Sequence, residues 1–229
     1  MKKALLTNPA FRYIFEVFII VFSVTISFYI QDVINNQNKI EEKNAGLEGV
    51  LSDLKNDEKY LNRLYKGMEK TTNTINKILG DRVISNAQFN NLMRYNGFTG
   101  NDNNYKSMIS TGSIEYLSNK ELFEKINHFY SWNYNVIKDQ ARQDENLFWR
   151  FTHHIEDNYI IDSVVNNNNK LYKKFYVNNS SLKKIINDHQ ITNQLNTKLM
   201  IYNIIKFFSE DSLRKINELK ILIQKELKQ

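Results

Sequence analysis

The chain has 229 residues, 41% hydrophobic and 24% charged, with a formal net charge of +6, which suits a folded protein of one or two domains. Cysteine is absent, which excludes disulfides and thiolate metal sites. With one proline and seven glycines among abundant Leu, Ile, Lys, Glu and Asn, the composition points to an all-α protein of long helices rather than a sandwich or barrel.

Residues 1–12 read as a cytoplasmic N-terminus carrying Lys2, Lys3 and Arg12, with Asn8 as N-cap and Pro9 in the first helical turn. Tyr13–Ile30, YIFEVFIIVFSVTISFYI, is a near-continuous apolar run. With Phe11 and Val33 it reaches the ~20 residues that cross a bilayer, so 13–33 is a transmembrane helix. Basic residues precede it and Asp32 follows it. The positive-inside bias then puts everything after Val33 outside the cytoplasm, in a bacterium on the periplasmic face of the inner membrane. The run ends Phe28-Tyr29-Ile30, a poor cleavage site, which favours an uncleaved single-pass anchor over a signal peptide. Arg12 and Glu16 are spaced to pair near the headgroups, and Tyr29 suits an interfacial anchor.

Residues 34–229 read as an elongated antiparallel helical bundle with long helices over about 37–79, 119–165 and 191–227. Ile40, Leu47, Leu54, Leu61, Met68 and Ile75 keep a seven-residue spacing, and Val33 extends it backwards. That is the period of a coiled-coil-like helix packed on others at a shallow angle. Gly46 and Gly49 mark either a bend in this helix or the close approach of a neighbour. Gly80 ends it. Ala87–Tyr95 and Asn103–Thr111 form short helices around a turn at Asn96–Gly100. Ser118-Asn-Lys-Glu121 is a capping box that opens the second long helix. The asparagines from Asn166 to Asn169 break it, Ser180 or Ser181 caps a short helix, and the third long helix follows.

Candidate chemistry is sparse. His153, His154, Glu156 and Asp157 are the densest potential ligands, and Glu124 with His128 repeats the i,i+4 spacing. Neither the Glu-x-x-His pairs of a di-iron bundle nor His-Glu-x-x-His occurs, so polar helix surface explains them and no metal or cofactor is expected. A nucleophile elbow and a glycine-rich phosphate loop are also missing, and the chain reads as a non-enzyme. Trp132 and Tyr134 lie off the helical face of Ile126, Tyr130 and Ile137, where they could contact a partner. From Ser163 to Asn187 no acidic residue occurs, while Lys173 and Lys174 stand among aromatics. On an exported domain this suggests an acidic partner or an anionic surface, not nucleic acid. Val33, Ile40 and Leu47, between membrane and bundle, are the expected contacts for a membrane-protein partner or a weak homo-oligomer.

Phe15-Glu16 opens the apolar run, Ile30-Gln31 closes it, and Val50-Leu51-Ser52-Asp53-Leu54-Lys55 follows shortly after. The stretch from Tyr105 through Met108, Gly112, Ile114 and Ser118 to Leu122, Ile126 and Tyr130 is the most specific. In these segments the chain resembles a family of small single-span membrane proteins of Gram-negative bacteria, domain of unknown function 6090. The resemblance implies an anchor plus a helical domain and supplies no activity. The expected role is a membrane-anchored, non-enzymatic interaction or accessory subunit. The alternative is a sensory-type ligand-binding bundle facing the periplasm.

Overall fold

The computed structural model describes residues 9–166 and 173–228, with side chains placed over 12–162 and 175–228. The proposed cap Asn8 and the asparagines at 167–169 lie outside the described residues. The fold is all-α, with one small hairpin. Helix α1, Pro9–Asp81, is a single 73-residue helix, ~110 Å long at 1.5 Å per residue. Its first part is apolar on all sides and exposed, and it is the one helix among the described residues long and apolar enough to span a membrane. Burial begins at Lys43.

The remaining chain wraps the far part of α1. Helices α2 (Asn86–Leu92) and α3 (Asn103–Thr111), joined by an extended segment, run back along α1. A 3-10 turn (Ser113–Tyr116) leads to α4 (Lys120–His128), which passes through a π-turn (Phe129–Asn133) into α5 (Tyr134–Asn158). The hairpin of β1 (Ser163–Asn166) and β2 (Lys173–Tyr176) and helix α6 (Asn179–Ile186) cap the end remote from the apolar segment. Helix α7 (His189–Glu226) then returns antiparallel to α1. Contacts of Arg82 with Thr192, Tyr65 with Lys206 and Lys43 with Glu226 fix that pairing.

The seven-residue set is core from Leu47 onward: Leu47, Leu54, Leu61, Met68 and Ile75 are fully buried. Gly46 and Gly49 do not interrupt the helix. A Cβ on Gly46 would stand 2.6 Å from Met108 Cγ, and one on Gly49 would run into Asn104, so both glycines let α3 lie directly on α1.

The local expectations fail at four junctions, at some through a distant partner and at others through a neighbouring residue. Ser118 does not cap α4. Its amide and hydroxyl both donate to Glu226 Oε1 at 2.8 Å, and Asn119 takes over as N-cap by accepting from the Leu122 amide at 3.1 Å. Neither Ser180 nor Ser181 caps α6, because Asn178 accepts the Ser181 amide at 2.9 Å. The second long helix ends at Asn158, not near Val165, and the chain turns extended at Tyr159. There the amides of Asn86 and Asn90 on α2 behave as a strand edge. Asn90 accepts from the Phe175 amide and donates to its carbonyl, and Asn86 does the same with Val177. These four bonds hold the end of β2 and Val177 after it extended. Finally, Gly80 stays helical, and Arg82 takes the left-handed position after α1 at φ 53°, its amide donating to Ile78 O at 2.9 Å.

The π-turn corrects the placement of Tyr134. The Tyr134 amide donates to Phe129 O, five residues back, so one extra residue enters the turn and rotates the following helix. Tyr134 thereby swings onto the buried face beside Tyr130, while Trp132 stays exposed.

Candidate ligand pocket and interaction surfaces

The end of the bundle remote from the apolar segment carries a concavity with an apolar floor. Arg82 begins it. A non-glycine residue in the left-handed region carries ~1–2 kcal/mol of strain, and such strain persists only where the surroundings determine it. Here the Arg82 guanidinium crosses to α6 and α7, with Nη1 donating to Ile186 O at 3.3 Å and to Thr192 Oγ1 at 3.1 Å. The end of α1 is thus clamped to the junction of α6 and α7. Between this clamp and the face of α6 that carries Asn179, Leu182, Lys183 and Ile186 lies a cavity of about 450 Å³, also lined by Val83 and Ile84. Ile84, Leu182 and Ile186 form a buried apolar floor, and Val83 is 68% exposed at the rim. Among the described residues Arg82 Nη2 and Lys183 Nζ have no hydrogen-bond or ion-pair partner, and no carboxylate lines the cavity. A hollow of similar size between α1 and α2, along Lys66, Lys70, Asn73, Lys77 and Gln88, is lined by polar residues and includes Glu69.

Two buried polar networks stiffen the bundle, and neither was anticipated from the sequence. In the first, Asp144 accepts Lys198 Nζ at 2.8 Å, Tyr202 Oη at 3.1 Å and the Asn96 amide at 3.0 Å. Lys198 also donates to Arg94 O at 2.8 Å, pinning the extended segment to α5 and α7. Burial, then the Asp144 charge, push the Tyr202 phenol well up. In the second, Asp53 accepts from Asn101 Nδ2 and Asn104 Nδ2, and Asp57 accepts from the Asn101 amide and Tyr134 Oη. Burial, helped by the nearby Asp53 and Asp102 charges, raises the Asp57 carboxyl to about 6, against the lowering effect of its hydrogen bonds. The signal was the i,i+4 pair Asp53 and Asp57 beside the core stripe.

The residues singled out from sequence fall in different places. Arg12 Nε and Glu16 pair at 3.1 Å, and Tyr29 is exposed on the apolar segment. Val33 and Ile40 are exposed, at 49% and 52%, but Leu47 is fully buried and is withdrawn as a partner contact. The same correction applies to Tyr134, whose hydroxyl meets Asp57 inside the bundle. Trp132 is 55% exposed. Lys173 and Lys174 belong to β2, with side chains outside the described set. His153 pairs loosely with Glu156 at the surface, 3.6 Å apart. His154 Nε2 lies instead 2.7 Å from Asp188 Oδ2, which also accepts Tyr159 Oη at 2.7 Å. Burial would raise Asp188, but His154, Tyr159 and the Gln190 and Ile191 amides outweigh it and hold the carboxyl at about 2. This network caps α7. Among the described residues no group of three or more potential ligands comes together for a metal.

The chain matches no family model, no curated protein and no solved structure.

Proposed function

We propose that the protein is a single-pass, membrane-anchored, non-enzymatic interaction or accessory subunit. Its N-terminus lies in the cytoplasm and its bundle faces the periplasm from the inner membrane. The observation that carries this reading is the continuity of α1. One helix supplies both the exposed apolar segment and the central core helix of the bundle. A bundle built this way stands on a rigid stalk, and a partner that tilts or shifts the stalk moves the bundle with it. Exposed Val33, Ile40 and Trp132 are the contacts we assign to a membrane-protein partner or a second copy.

The second reading, a sensory-type ligand-binding bundle, is favoured by the cavity between Arg82 and α6. It falls within the ~300–1,000 Å³ range of small-molecule sites.

A reporter active only outside the cytoplasm, fused after Gln229, tests the topology and should be active. Activity of a cytoplasm-only reporter at that point overturns the orientation. Photo-crosslinkers at positions 33, 40 and 132 of the full chain in its membrane should each give a discrete product that position 67 does not. No product at any of the three overturns the interaction role.

A further inference from the structure

We infer that the cavity at the remote end of the bundle is a binding site for a small aliphatic carboxylate. Its floor is Ile84, Leu182 and Ile186, all buried, with Val83 at the rim. Its polar side presents the Arg82 guanidinium, whose Nη1 is spent on Ile186 O and Thr192 while Nη2 is unengaged among the described residues. Lys183 stands on the same wall, one turn from Ile186 and Asn179, with no ion-pair partner among the described residues. Two cations over an aliphatic floor, with no carboxylate lining the cavity, complement a molecule that has one anionic end and a short apolar body. Nη2 donates to the carboxylate, Lys183 neutralises it, and the chain covers the floor.

The position of the site selects the source of that ligand. Arg82 follows the last residue of α1, about fifty residues past Ile30, so the cavity stands ~75 Å from the end of the apolar segment. With α1 upright to the bilayer, a phospholipid of the anchoring membrane does not reach the cavity, and we assign it a free, soluble acid. Only this distance argument rests on the anchored reading; the chemistry of the cavity does not.

The strained backbone at Arg82 fits this role. Glycine or asparagine would satisfy the left-handed turn with less strain, but neither reaches both the cavity and the α6–α7 junction.

The test uses the full chain in lipid nanodiscs, labelled at Ile, Leu and Val methyls, titrated with sodium octanoate and separately with octan-1-ol. Octanoate should shift the Val83, Ile84, Leu182 and Ile186 methyls saturably. Lys183→Gln alters an exposed side chain that holds nothing in place, and it should weaken octanoate several-fold. Arg82→Asn, which keeps the left-handed turn, combined with Lys183→Gln should weaken it by tenfold or more. Methyls elsewhere in the bundle should be unmoved in both variants, which shows that the fold is retained. The proposal is overturned if octan-1-ol binds the cavity as well as octanoate, if the variants bind like the parent, or if the shifts fail to saturate. A response to an acidic peptide but not to octanoate also overturns it, and the topology reporter reads independently of all these outcomes.

Discussion

Lys43 and Glu226, 183 positions apart in the chain, meet at the end of the bundle nearest the apolar segment, with Lys43 Nζ 3.3 Å from Glu226 Oε1 and both side chains buried. The same oxygen accepts the amide and hydroxyl of Ser118. This node joins α1, the start of α4 and the last residue of α7 where the bundle gives way to the exposed stalk. Burial raises the Glu226 carboxyl, but the bonds from Ser118 and Lys43 outweigh it, and the net shift is downward.

Glu226→Ala should destabilise the bundle by about 3–5 kcal/mol, because Lys43 is left charged and buried. Lys43→Met with Glu226→Leu should recover most of that loss. Denaturant unfolding of the full chain in nanodiscs measures both. Since the folded carboxyl is shifted below its unfolded value of 4.5, its contribution is present above that pH and fades as pH falls through the folded pKa. A double variant as unstable as the single one contradicts the burial argument.

Asp57 works in the opposite direction. Its folded pKa of about 6 lies above the unfolded 3.8, so between these values the folded state holds the extra proton and stability falls as pH rises. The loss is complete above about 6 and amounts to at most about 3 kcal/mol, at ~1.4 per pKa unit. Asp57→Asn can still accept the Asn101 amide and can donate to Tyr134. It should stabilise the protein at pH 7 by about 1–3 kcal/mol and flatten the slope between 4 and 6, as read from unfolding midpoints across that range. Asp188 and Asp211, each held at about 2, should keep the opposite slope below about pH 4 in the same variant.

The α1–α3 contact gives a matched pair of glycine substitutions. Gly49→Ala forces a methyl into Asn104, whose side chain is fixed on Asp53, and should cost about 1–3 kcal/mol. Gly67 lies on the same helix with open space around it, and Gly67→Ala should stabilise by roughly 0.5–1 kcal/mol. Equal effects at the two sites would mean that α3 does not sit on α1 as described.

Aspartate at Leu47 and at Ile40 separates stalk from core. Leu47 is fully buried and Ile40 half-exposed. Leu47→Asp should therefore cost more than about 4 kcal/mol in unfolding, while Ile40→Asp should change it by less than about 0.5 kcal/mol. Ile40→Asp should also abolish the photo-crosslink at position 33 if that face binds a partner. Retention of the crosslink counts against the stalk as an interface.

The sequence by itself determined the helical class, the apolar segment and the stripe from Leu47 to Ile75, because these follow from periods and runs within one helix. It also placed α3 at Asn103–Thr111 and the buried positions of α4, α5 and α7 from Leu122 to Ile223. Only the tertiary structure decided the features in which a distant group outbids a local one. Ser118 reads as a cap until Glu226 takes both its donors. Tyr134 reads as off the core face until a π-turn adds a residue to the spacing. Leu47 reads as stalk until α3 approaches α1 at two glycines. The cavity has no linear signature at all. Its floor and its cations come from the four-residue linker after α1, 82–85, and from one face of α6, about a hundred positions apart, and they meet only in the folded bundle, where apolar packing and the Arg82 contacts hold the two together.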